Sequence, residues 1–104
     1  MRIVIAGAGD VGKYLAKMFR SESHDIIIID NNPQNLETLS SRFDIMTYEG
    51  NVTFMKDLME VGVNKCDLFV AVTSHETVNM TACILASSLG AKKILARVDN
   101  HEYI

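Results

Sequence analysis

Four consecutive isoleucines, Ile26 to Ile29, stand between Asp25 and Asp30, and a run of that kind offers no polar face to water. It has to be covered on both sides, as strands are inside a parallel sheet. Ile3-Val4-Ile5-Ala6 and Leu68-Phe69-Val70-Ala71-Val72 have the same character, and weaker runs lie at Ile45 to Tyr48 and Ile94 to Val98. Between these runs apolar residues recur at helical spacing: Val11, Tyr14, Leu15, Met18 and Phe19; then Leu36, Leu39 and Phe43; then Phe54, Leu58 and Val61. A fourth helix, from Val78 to Leu89, carries apolar residues on more than one stripe, which predicts burial on a second side, either in a dimer through this helix or by sinking deeply into its own domain. Asn32-Pro33 reads as an N-cap and first helical residue, and Gly62 and Gly90 fall where helices three and four should stop.

Five strands therefore alternate with four helices along the chain. Right-handed crossovers fold that order into an α/β, Rossmann-like, doubly wound parallel sheet with strand order 3-2-1-4-5. The strand order reverses between strands one and four, and ligands of such sheets bind outside the carboxyl ends of the strands at that point. Three loops converge there: the turn after strand one, Asp30-Asn31, and Thr73-Ser74.

At 104 residues, 48% hydrophobic and 22% charged, with one proline, the chain is expected to be a single folded domain over residues 1–104 without a linker. Its longest apolar runs fall far short of the roughly 18 residues a membrane span needs, and Arg2 with a short run ending in glycines does not make a secretory signal. A cytoplasmic location without membrane insertion is expected. A net charge of −3 and no basic run leave no footprint for nucleic acid. Cys66 and Cys83 are too few and too far apart for a zinc motif, and His24, His75 and His101 show no ligand spacing. No metal site or catalytic residue is expected.

The turn after strand one reads GAGDVG. Gly7, Gly9 and Gly12 follow a strand directly and open a helix, which is the context the dinucleotide fingerprint requires. Gly7 would permit the turn, Gly9 would admit a pyrophosphate close to the backbone, and Gly12 would let helix one pack on the sheet. Ala8, Asp10 and Val11 complete the cradle, where the helix N-terminus favours phosphate. Asp30 ends strand two at the place of the acid that takes the ribose hydroxyls; it would repel a 2′-phosphate, so NAD(H) or an adenine nucleotide is expected rather than NADP. Asp10 adds a negative charge beside the cradle or, solvated, points away from it, and Asp30 could instead be a helix-capping or solvated carboxylate.

The whole chain resembles the N-terminal nucleotide-binding domain of Trk-type potassium-uptake regulatory proteins, the RCK or KTN domains. The resemblance runs through "IVIAGAGDVGKYLA", "HDIIIIDNNPQNLETL", the stretch from Gly50-Asn51 to Ala71-Val72-Thr73, Asn79-Met80, Ala96-Arg97-Val98 and Glu102-Tyr103. It implies a nucleotide-sensing regulator, not an enzyme, that assembles as a dimer building a ring on a membrane potassium channel or transporter subunit, peripheral to the inner face of the cell membrane. It implies NAD(H) as cofactor, with ADP, AMP or ATP as alternatives, and Asp10 counts against tight ATP binding. By the same resemblance Gly7, Gly9 and Gly12 hold phosphates, Asp30 with Asn31 the ribose end, Asn51 with Val52 the adenine end, Thr73 and Ser74 the pyrophosphate or second ribose, and Arg97 a phosphate.

Each of the later assignments has a structural rival. Asn51 could serve only the turn after Gly50, Thr73 and Ser74 only the cap of helix four, and Arg97 only the surface. Compared with the family the chain stops before a sixth strand, so strand five is expected to be an edge. Two other functions fit the same sequence: the cofactor-binding fragment of an NAD-dependent dehydrogenase, and a nucleotide-free interaction module in which the glycines are structural.

Overall fold

The computed structural model describes residues 1–98, so His101, Glu102, Tyr103 and Ile104 lie outside the described residues. Five parallel strands, β1 (Arg2–Ala6), β2 (Asp25–Asp30), β3 (Met46–Glu49), β4 (Leu68–Ala71) and β5 (Lys93–Ala96), form one sheet in the expected order β3-β2-β1-β4-β5. Helices α1 (Asp10–Ser21), α2 (Pro33–Arg42), α3 (Met55–Glu60) and α4 (Glu76–Leu89) make the connections, with a short 3-10 turn at Val63–Lys65. Ala6 lies level with Ile29 of β2 and Ala71 of β4, so the loops after these three strands open at one height.

The continuous apolar runs do what their pattern requires. Ile3, Ile5, Ile26, Ile28, Leu68 and Val70 face one layer, against Ala16 of α1 and Leu36 and Leu39 of α2. Val4, Ala6, Ile29, Phe69 and Ala71 face the other, against Leu58 of α3 and Ala82 and Ala86 of α4. Each isoleucine buried this way contributes about 1.5–3 kcal/mol. Local signals end the helices: the Asn32 side chain accepts the Gln34 N–H with Pro33 behind it, and Gly90 caps α4 at φ +104°. Gly62, at φ +83°, turns the chain into the 3-10 turn just after α3.

Helix α1 departs from the expected apolar face. Gly12 and Ala16 are the buried positions, with Leu15 and Phe19 packed beside them, whereas Tyr14 is 67% exposed and Val11 lies outside the core. Two adjacent stripes of α1 are both apolar, and the one with small residues wins because it lets the helix approach the sheet. Strand five is shorter than its apolar run, ending at Ala96, although the Arg97 N–H still bonds the Ala71 carbonyl at 2.9 Å. Cys66 is buried and Cys83 half-buried; both are free, and burial pushes both thiols above their ordinary pKa. Among the described residues no helix is long and apolar enough to cross a membrane.

Candidate functional site

Three glycines shape the turn after β1, each for a different reason. Gly7 sits at φ +113°, and a Cβ there would lie 2.9 Å from the Thr73 nitrogen and 3.1 Å from its Cα, so the loops after β1 and β4 touch through the missing side chain. Gly12 lies in the first turn of α1, where a Cβ would run into the Gly7 carbonyl oxygen. Its role is to close the helix onto the glycine turn as much as onto the sheet. Gly9 answers to neither constraint. Its φ is an ordinary −76°, and a Cβ built on it meets nothing within 4 Å. Gly9 is also the N-cap of α1 and gives no side-chain cap, which leaves the N–H groups of the first turn open to the space in front.

Asp30, at the end of β2, is tied into that turn. One carboxylate oxygen accepts the Ala8 N–H at 3.0 Å; the other accepts the Asn32 N–H at 3.0 Å and an Asn35 side-chain N–H at 3.2 Å. The carboxylate joins the glycine turn to the start of α2. About four acceptor positions on a carboxylate leave room for one further donor, such as a hydroxyl. Ala8 itself is fully buried, its N–H spent on Asp30.

The loop after β3 is built around two carbonyl-type acceptors. The Asn51 side-chain oxygen accepts the Thr53 N–H at 2.8 Å and its hydroxyl at 2.7 Å, the turn-forming role open to it from sequence. Asp57 of α3 reaches back to accept the Asn51 N–H at 2.8 Å and the Tyr48 hydroxyl at 3.3 Å. Burial, and then the Asp57 carboxylate, raise the Tyr48 pKa above its ordinary value.

The loop after β4 is held from inside. Asn79 of α4 is 1% exposed, and its side chain bonds the N–H, the hydroxyl and the carbonyl of Thr73 and the carbonyl of Arg97. Ser74 and His75 share a hydrogen bond at 3.2 Å between the Ser74 hydroxyl and the His75 Nδ1. His75 occupies the N-cap position of α4.

These loops enclose a cleft of about 820 Å³ over the carboxyl ends of the strands, a volume within the usual range for small-molecule sites. Gly7, Gly9, Asp10, Val11, Asp30 and Asn31 line it from the β1 and β2 side, with Asn51 and Val52 from β3. Thr73, Ser74 and Arg97 line it from the other side. Ala8 and Gly12 do not reach it; they act through the turn. Asn32, Asn35, Gly50, Thr53, Val72, His75 and Val78 line it as well and were not singled out from the sequence. Asn35 sits five residues past Asp30, one turn into α2, a spacing that could have marked it. Asp57 gave no signal, because it serves a backbone N–H across the chain. A second cleft, about 610 Å³, lies at the opposite end near Arg20, His24, Asp25 and Asp44, where α1 and α2 finish. Sheets of this topology bind at the carboxyl end, and only there do helix N-termini converge. Among the described residues no group of three or more His, Cys, Asp or Glu is placed to hold a metal.

The family model of the TrkA-N domain matches residues 3–104. A Trk system potassium uptake protein TrkA homolog from Archaeoglobus fulgidus is 43% identical over the full length of this chain, which spans 23% of that relative. Among solved structures, the GsuK channel bound to NAD superposes with a TM-score of 0.85 at 20% identity, over 98% of this chain and 18% of that one. The Kef CTD of Shewanella denitrificans in its AMP-bound form superposes with a TM-score of 0.82 at 18% identity, over 99% of this chain and 62% of the other. At those identities the two structures speak for the fold.

Proposed function

The chain belongs to the TrkA-N domain family, and we propose from there that it is the nucleotide-sensing part of a regulator of potassium transport, binding NAD(H) or an adenine nucleotide without turning it over. Gly9 is the observation that carries this reading. A glycine with ordinary φ and nothing within 4 Å of where its Cβ would be has no packing reason to lack a side chain, and as an N-cap it ranks below residues whose side chains would close the first turn. A ligand lying against the backbone supplies the reason, and the uncapped first turn of α1 supplies the N–H groups for its phosphates. Asp30 then takes a ribose hydroxyl and opposes a 2′-phosphate, the Gly50–Thr53 loop walls the adenine end, and Thr73, Ser74 and Arg97 line the rest. Asp10, exposed at the rim, opposes the added charge of a triphosphate.

In this reading the domain sits on the cytoplasmic side of the membrane, attached through a potassium channel or transporter subunit and paired with further copies of itself. The relatives named for potassium uptake support the partner; the exposed apolar side chains Met80 and Ile84 on α4 support the pairing.

Calorimetric titration with NADH, ADP, AMP, ATP and NADP tests the proposal, with Gly9→Ala alongside. The chain should prefer NADH or an adenine mono- or diphosphate over NADP. Gly9→Ala should lower affinity about tenfold or more, equivalent to ~1.4 kcal/mol, while losing no more stability than a poorer N-cap costs. No binding of any nucleotide, or equal binding by Gly9→Ala, would sink the proposal.

A further inference from the structure

Asn79 is the one polar side chain buried among the described residues, and it is saturated. Its Oδ1 accepts the Thr73 N–H at 2.9 Å and the Thr73 hydroxyl at 2.7 Å; its Nδ2 donates to the Thr73 carbonyl at 3.0 Å and to the Arg97 carbonyl at 3.2 Å. Three of the four bonds hold a single residue of the loop after β4, and the fourth holds the chain leaving β5. Thr73 is also the residue against which Gly7 packs without a side chain. A buried amide with every donor and acceptor matched fixes both partners in one geometry, because any shift leaves a buried polar group unpaired.

The sheet order divides the cleft. Asp30 and Asn51 lie on the β2 and β3 side of the glycine turn, whereas Thr73, Ser74 and Arg97 lie on the β4 and β5 side. On the nucleotide reading of the cleft, a mononucleotide would be held by the first side and the turn, and a dinucleotide would reach across to the second.

We infer that Asn79 is a positioning residue for the β4 and β5 half of the cleft, and so sets how much better the protein holds a dinucleotide than a mononucleotide. It touches no ligand, since its four bonds are spent on protein. It acts by presenting Thr73, Ser74 and the backbone at Arg97. The inference rests on the nucleotide reading of the cleft and adds a selectivity determinant to it.

The test compares NADH with AMP on the parent chain, Asn79→Ala and Asn79→Asp. Asn79→Ala removes all four bonds. Asn79→Asp keeps the shape and the acceptor but sets a carboxylate oxygen against two carbonyls, which raises its pKa, so protonation at low pH restores one donor. The expected result is a loss of NADH affinity of roughly ten- to a hundredfold with AMP affinity changed less than about threefold. In Asn79→Asp the loss, taken relative to the parent at the same pH so that His75 in the cleft cancels, should shrink between about pH 8 and pH 5. AMP binding by a variant shows that it has folded, and if Asn79→Ala fails that check Asn79→Asp decides. Equal losses for NADH and AMP, or no loss, overturn the inference. A parent chain that binds neither nucleotide overturns the reading of the cleft itself.

Discussion

Gly7, Gly9 and Gly12 look interchangeable in the pattern GAGDVG, but their surroundings make three different substitutions of them. Alanine at Gly7 has to adopt φ +113° and meet Thr73 at about the distance real Cβ atoms avoid, so it should cost about 1–3 kcal/mol. For a chain of this size each kcal/mol lowers Tm by roughly 4–8 °C. Alanine at Gly12 faces a backbone carbonyl that cannot step aside, and Tm should fall at least as far. Alanine at Gly9 meets only open cleft, so its loss should be confined to that of a poorer N-cap, about 1 kcal/mol or less. A thermal melt of the three variants checks the order, and a Gly9→Ala protein as unstable as Gly7→Ala would mean that Gly9 has a packing role after all. Asp30 carries the opposite lesson. Its three N–H partners belong to the glycine turn and to α2, so Asp30→Ala should lose on the order of 1–3 kcal/mol of stability besides any ligand contact. A drop in nucleotide affinity in that variant therefore has to be corrected for a loosened turn, which the melt measures.

Strands and helices were readable because each one's pattern had a single physical solution: runs such as Ile26–Ile29 have no exposed face, and Asn32-Pro33 and Gly90 punctuate the helices by their own chemistry. The inner stripe of α1 was not, because two apolar stripes compete and only the approach of helix to sheet chooses between them. The loop supports were hidden for another reason. Asp57 and Asn79 act on backbone groups six residues away, and backbone groups leave no trace in a sequence, so the resemblance marked the position of Asn79 without its role. Asp67 is a further case. Just before β4, it accepts the Arg2 N–H at 2.8 Å and meets the Lys92 ammonium at 3.2 Å, joining the amino ends of β1, β4 and β5. The Arg2 N–H first, then Lys92, hold its carboxyl below the ordinary aspartate pKa. A lowered folded-state pKa gives stability that is fully present above the unfolded value, about 3.9, and is lost as the pH falls through the folded one. Asp67→Asn should therefore flatten the acid limb of a plot of Tm against pH and leave its shape above about pH 5 unchanged. An acid limb as steep as the parent's would assign the acid sensitivity to other carboxylates.

Taken whole, the molecule puts its ligand cleft and its free apolar surface on connected elements. Helix α4 packs Ala82 and Ala86 into the core, with Val78, Leu85 and Leu89 beside them, and the same helix begins at the Thr73–His75 wall of the cleft. Its other stripe faces outward: Ile84 is 68% exposed and Met80, one turn earlier, 50%, with Leu95 of the adjacent edge strand exposed as well. One stripe thus belongs to the domain's own core, and the second is the surface on which the proposed pairing would run. Burying a side chain like Ile84 against a partner contributes about 1.5–3 kcal/mol per copy, whereas a lysine there would have to be desolvated. Since the position makes little use of its own core, Ile84→Lys should melt within about 0.5 kcal/mol of the parent at concentrations low enough that both are monomers. By sedimentation equilibrium it should weigh as a monomer at concentrations where the parent weighs as a dimer. A parent that is monomeric at high concentration, or an Ile84→Lys protein that still pairs, would move the contact away from α4. If pairing does run through α4, nucleotide bound against the Thr73–His75 loop at the start of the helix should also strengthen the dimer, because binding and pairing then favour the same arrangement of one element.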